Sequence, residues 1–140
     1  MTANRWLISL AGLLFFLAAR PALAAESYDN CTGYIDSVPA VISSQGTWCL
    51  RADLATSMAS GYAIQVTTNN VTIDCNDFKL GGLGAGPGTL ASAIFAYGRH
   101  NVTVRHCNVR GFYIGINLVE GSGYLIEDNR ATLISLPPIS

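Results

Sequence analysis

One short pattern returns along this chain at a nearly constant interval. Ala63-Ile64-Gln65-Val66 leads into Asn70-Val71-Thr72-Ile73-Asp74. Ala93-Ile94-Phe95-Ala96 leads into Asn101-Val102-Thr103-Val104-Arg105. Gly115-Ile116-Asn117-Leu118 leads into Gly123-Tyr124-Leu125-Ile126-Glu127. Each unit is an alternating strand, a polar or glycine turn, and a second alternating strand. Ile94 to Ile116 is 22 residues, Val102 to Tyr124 is also 22, and Ile64 to Ile94 is 30. The excess in the longer interval is a nine-residue insertion of turn chemistry, GGLGAGPGT at 81–89, which reads as a surface loop. A period of roughly 20–25 residues made only of strands and turns is the size of one solenoid coil.

Alternation gives each strand one inward face. Val71, Val102 and Tyr124 are expected to stack in one inward column, with Ile73, Val104 and Ile126 in the next. Ile64, Ile94 and Ile116 form another, beside Val66, Ala96 and Leu118. Consecutive coils would pair as parallel strands ~4.8 Å apart. Asn76, Asn108 and Asn129 stand just past these strands, where the chain must bend and asparagine tolerates left-handed backbone angles. A β-sandwich also uses short strands, but it does not require one motif at a fixed interval. A Rossmann unit needs helices, and the glycines of the insertion lack the G-x-G-x-x-G order. The expectation is an all-β chain, a right-handed parallel β-helix of about three coils over residues 61–132. Residues 25–60 do not match the repeat and read as an N-terminal cap, which a solenoid needs to cover strand edges and core. Trp48, in the cap, and Phe112 read as packing residues.

Residues 1–24 read as a signal peptide. Arg5 precedes the apolar run WLISLAGLLFFLAA, and Pro21-Ala22-Leu23-Ala24 supplies an A-x-A site. The run is shorter than the ~20 residues a bilayer-spanning helix needs. The remaining chain is expected to be soluble, secreted or periplasmic, with no membrane contact after cleavage. Without Arg5 and Arg20, six of the eight basic residues remain against nine acidic ones, a charge of −3. With no basic run, nucleic acid is not an expected partner. Cys31, Cys49, Cys75 and Cys107 all follow the cleavage site, an even number that points to disulfides in an exported chain. Cys31 with Cys49 is the favoured pair. Cys75 and Cys107 fit either a bridge or two buried thiols. Asn30-Cys31-Thr32, Asn70-Val71-Thr72 and Asn101-Val102-Thr103 match an acceptor pattern for glycosylation, but the last two are the coil motif itself.

The segments SVPAVISSQGTWCL, NNVTIDCNDFKL, HNVTVRHCNVRGFYIGINL and GYLIEDNRA resemble the N-terminal part of secreted bacterial right-handed parallel β-helix proteins of the pectate-lyase-like group. The resemblance runs from about Cys31 to Ala131. It implies fold more than chemistry, because the group spans lyases, hydrolases, epimerases, adhesins and proteins without known activity. Complete members commonly have many coils. Here residues 133–140 (LISLPPIS) break the pattern, since prolines cannot donate ladder hydrogen bonds. They read as an irregular tail, either a crude stop or, by preference, the end of a truncated reading frame.

Aligned coils place Asp74, Arg105 and Glu127 in one outward column of alternating charge. Such a column is either a salt-bridge stack, worth ~0–1 kcal/mol per pair, or a glycan-facing groove. In the lyases that the chain resembles, acidic residues hold Ca²⁺ against an acidic sugar and an arginine removes a proton. Ca²⁺ is therefore expected only if the chain is lyase-like, and no metal ligands are assigned. No complete lyase motif maps onto the sequence, so no catalytic residue is assigned. Tyr97 and Tyr113 are the candidate sugar-packing aromatics. His100 and His106 read as turn histidines, because spacing sets no nucleophile or carboxylate beside either; a general base is the alternative for His106, next to Arg105. The expected function is binding of a polysaccharide or cell-surface glycan. The alternative is the N-terminal fragment of a polysaccharide lyase, hydrolase or epimerase.

Overall fold

A computed structural model describes residues 30–132. The expected signal peptide, residues 1–24, and the tail, residues 133–140, lie outside the described residues. Strand β1 (Gly33–Ile35) comes first. Four coils of three strands follow. The first holds β2 (Ala40–Ile42), β3 (Gly46–Leu50) and β4 (Leu54–Ala55). The second holds β5 (Tyr62–Val66), β6 (Val71–Asp74) and β7 (Lys79–Gly81). The third holds β8 (Ser92–Tyr97), β9 (Val102–Arg105) and β10 (Asn108–Arg110). The fourth holds β11 (Ile114–Val119), β12 (Leu125–Glu127) and β13 (Arg130–Thr132).

The strands stack into three sheets, all of whose pairs are parallel. The first sheet runs β1-β3-β6-β9-β12, the second β2-β5-β8-β11 and the third β4-β7-β10-β13. This is a parallel β-helix. Four coils replace the expected three, because residues 40–55, inside the segment read as a cap, build a complete coil of their own. The third sheet was not foreseen. Its strands are two or three residues long, too short for alternation to show.

Register turns sequence spacing into stacked columns. Val71 lies beside Val102, and the β12 register carries the column on to Tyr124. Ile73 and Val104 align, with Trp48 before them and Ile126 after. Ala40, Ile64, Ile94 and Ile116 align in the second sheet, as do Leu54, Leu80, Val109 and Ala131 in the third. Ile64, Ile73, Ile94, Val104 and Val109 are fully buried. Each such side chain contributes roughly 1.5–3 kcal/mol by leaving water, so the central columns hold the coils together. Phe112 is buried at a corner, and Trp48 packs half-buried on the core.

The corners obey backbone chemistry. Asn70 and Asn101 sit at left-handed φ of 57° and 56°, and Gly123, next in the column, at 67°. Asn101 Nδ2 donates to Asn70 Oδ1 at 3.0 Å, a side-chain rung between coils. Asn76 also turns left-handed and donates to the Leu50 carbonyl of the coil below. Asn129 donates to the Val104 carbonyl and accepts the Cys107 amide. Asn108, expected at a bend, lies within β10 instead, because Cys107 occupies the corner position that Asn76 and Asn129 hold. The insertion begins after Gly81, which ends β7, and contains a single 3-10 turn, Leu83–Ala85. Thr89 closes it, buried and donating to the Met58 carbonyl at 2.7 Å.

Both disulfides form: Cys31–Cys49 ties the start of the described chain to β3, and Cys75–Cys107 ties the second coil to the third. The question left open for Cys75 and Cys107 is thus answered as a bridge. Cross-links spanning 18 and 32 residues each restrict the unfolded chain by about 3–4 kcal/mol in the chain-entropy account. Two disulfides suggest an oxidising, extracytoplasmic environment.

Candidate functional site

The charged column exists in register: Asp74, Arg105 and Glu127 lie side by side at the ends of β6, β9 and β12. It does not behave as a uniform exposed ladder. The Asp74 side chain is only 10% exposed, covered by its partners. Its Oδ2 accepts from Arg105 Nε at 2.8 Å. Its Oδ1 accepts the Asn76 amide at 3.0 Å and faces His106 Nδ1 at 3.1 Å. Burial by itself raises the Asp74 pKa, but the Asn76 amide, His106 and Arg105 outweigh it and hold the carboxyl below its ordinary value. Glu127, on the end coil, makes no side-chain hydrogen bond or ion pair among the described residues.

His106, read as a turn histidine, does stand in a turn, but beside a carboxylate that spacing did not place there. It follows Arg105 in chain order and takes a left-handed φ of 52°, which swings its ring across the corner toward the coil below. An ionised carboxylate only accepts hydrogen bonds. Nδ1 therefore carries the proton shared with Asp74, and Nε2 is left facing Asp128 Oδ2 at 3.9 Å. Asp128 is the aligned corner residue one coil further on, also with φ of 52°. Beside this pair opens a polar cleft of about 300 Å³ lined by Asp77, Cys107, Asn108, Asp128 and Arg130. The Cys75–Cys107 bridge joins the chain neighbours of Asp74 and His106 and so holds the two corners together. Among the described residues, no group of three or more His, Cys, Asp or Glu is arranged to hold a metal ion.

Tyr97 and Tyr113 lie elsewhere, on the second sheet. Tyr97 ends β8 and is 54% exposed, while Tyr113 precedes β11 and is 45% exposed. Tyr113 stands beside Ala91, six positions before Tyr97 in register, which is about 20 Å along the strands. Two aromatics stand between them. Phe95 alternates with the buried Ile94 and Ala96 and so points outward. Tyr62 stacks on Phe95, with ring centroids 3.8 Å apart and planes 5° from parallel. Gln65 and Asn117 flank Phe95 on the neighbouring coils. Tyr97 donates to Glu120 Oε2 at 2.6 Å, which fixes its ring and raises its phenol above the ordinary value. The two tyrosines read from sequence are thus the ends of an aromatic row. Its middle was legible too, since Phe95 occupies an outward position by alternation.

Two other polar groups are engaged locally. His100 Nδ1 meets Ser122 Oγ at 2.8 Å in a corner, and Lys79 lies 3.8 Å from Asp53. Among the described residues, no helix is long and apolar enough to cross a membrane. Comparison with known proteins finds no matching family model, no matching curated protein and no matching solved structure.

Proposed function

We propose that this protein is an exported β-helix module that binds a polysaccharide or cell-surface glycan on the outer face of its second sheet. The observation that carries the reading is the row Tyr113, Tyr62, Phe95 and Tyr97, bordered by the amides of Gln65 and Asn117. Flat aromatic faces pack against the C–H faces of pyranose rings, and amides bond to the hydroxyls around them. The row's length of about 20 Å suits several linked sugars rather than one. The apolar run and A-x-A site of residues 1–24, with the two disulfides, support a secreted or periplasmic location. Resemblance to the pectate-lyase-like group supports a glycan partner. Affinity electrophoresis through polygalacturonate, alginate and neutral glucans tests the reading. Retardation by at least one polymer is expected, weakened roughly tenfold by Tyr97→Ala or by Phe95→Ala. Equal mobility in every gel, or retardation that both variants leave unchanged, rules it out.

A second reading has its own observation: His106, oriented by the ionised Asp74, holds Nε2 3.9 Å from Asp128, a residue that lines a polar cleft. That arrangement suits a general base or acid, as a lyase, hydrolase or epimerase of polysaccharides requires. Incubation with polygalacturonate and alginate, with and without Ca²⁺, distinguishes the two. Unsaturated or shortened products that disappear in His106→Ala favour the enzyme, and intact polymer favours binding alone.

A further inference from the structure

The three sheets divide their charges unequally. In the first, β6, β9 and β12 carry Asp74, Arg105 and Glu127. In the third, β7, β10 and β13 carry Lys79, Arg110 and Arg130. The four strands of the second, AVI, YAIQV, SAIFAY and IGINLV, hold no Asp, Glu, Lys, Arg or His. Yet this is the sheet that presents the aromatic row to water. Exposure by itself does not explain the difference, because Arg110, Glu127 and Arg130 on the other two sheets are exposed as well.

Among the described residues, charge adjoins these strands at the Tyr97 end of the row, where Arg99 and Glu120 follow β8 and β11. Arg99 Nε donates to the Tyr97 carbonyl at 2.9 Å, and its Nη1 donates to the Thr67 carbonyl at 3.0 Å. Glu120 accepts the Tyr97 hydroxyl. The two have opposite signs and leave no net charge to attract an ionic chain. At the middle of the row, Gln65 and Asn117 stand on either side of Phe95. Among the described residues, neither side-chain amide has a hydrogen-bond partner. An amide both donates and accepts, so it can meet a sugar hydroxyl in either sense. A sugar over Phe95 with hydroxyls along both edges would find an amide at each. A carboxylate in the same place would shed water and gain no cation.

We infer that the row selects an uncharged polysaccharide, of the glucan type, and excludes polyuronates. The inference rests on the glycan-binding reading above and adds to it the class of glycan. It departs from the acidic sugars that the resemblance to pectate-lyase-like proteins implies.

Affinity electrophoresis through hydroxyethylcellulose and carboxymethylcellulose tests it, since these polymers share a backbone and differ in charge. The quantity to read is the retardation that Phe95→Ala abolishes, which separates the row from the cationic third sheet. Hydroxyethylcellulose or the neutral glucan laminarin is expected to show it, alike at low and high salt. Carboxymethylcellulose and polygalacturonate are expected to show it roughly tenfold more weakly. Gln65→Lys, which sets a cation beside Phe95, is expected to admit carboxymethylcellulose in a salt-sensitive way, with an unchanged circular-dichroism spectrum. Phe95-dependent retardation as strong in the charged polymers as in the neutral ones overturns the inference and leaves glycan binding standing. A Gln65→Lys variant that carboxymethylcellulose still fails to retard has the same consequence. Phe95-dependent retardation in none of these gels overturns both.

Discussion

At the first coil, β1 lies against β3, and the Cys31–Cys49 bridge pins it there. Trp48 spreads over Gly33, so close that a side chain on that glycine would meet the indole ring. Ile35, Ile42 and Leu50 are buried as a result. At the fourth coil, Leu125 and Ile126 remain 48% and 52% exposed, although Ile126 sits in the same inward column as Ile73. Both ends follow the same alternation. The difference teaches that an inward position in a solenoid is dry only when a further strand lies across it. Apolar pattern marks the direction a side chain takes, and stacking decides what it is worth.

The largest effect is expected from truncating the same column at its middle and at its end. Ile73→Ala opens a cavity between three coils and is expected to cost about 2–5 kcal/mol in urea unfolding. Ile126→Ala is expected to cost about 1 kcal/mol or less, since half its surface is already wet. Equal costs would break the comparison. Removing the first-end bridge in a Cys31→Ser, Cys49→Ser double variant is expected to cost about 3 kcal/mol. Hydrogen exchange should show the loss of protection concentrated in β1 and β3, with β12 unchanged.

Gly33→Ala is expected to cost about 1–3 kcal/mol, because the new methyl would stand 2.5 Å from a Trp48 ring carbon. A blue- or red-shifted Trp48 emission would report the displaced ring. The smallest effect concerns the corner between the two ends. Asp74 has its carboxyl pKa held below the unfolded value, so its contribution is present above about pH 4 and fades as pH falls through the lowered folded value. Thermal unfolding should lose stability with acid more steeply in the unaltered protein than in Asp74→Asn. Parallel pH curves would show that Asp74 is no better held in the folded chain than in the unfolded one.

Much of the coil was legible before any coordinate. Val71 over Val102 and Ile64 over Ile94 followed from spacing alone, because a solenoid places residues one period apart side by side. The same rule set Asp74 beside Arg105 and Arg105 beside Glu127. The first coil escaped notice because Gly46, Trp48 and Cys49 stand where Val71, Ile73 and Asp74 stand in the second, leaving little of the motif to see. Its two neighbouring intervals also differ, 24 residues from Ala40 to Ile64 and 30 from Ile64 to Ile94.

What the sequence by itself determined is the period and the inward alternation, since both are local properties of strands and turns and survive insertions between them. What only the tertiary structure decided lies at the corners and the ends. His106 reaches Asp74 across 32 residues because a left-handed backbone angle turns its ring, and no spacing rule encodes that turn. Tyr62 finds Phe95 because adjacent coils hold their rings at stacking distance. Ile126 has the same residue type as Ile73 and the same place in the motif, yet among the described residues only Ile73 has a neighbour on both sides. Burial belongs to the stack, and no single residue carries it in its own identity.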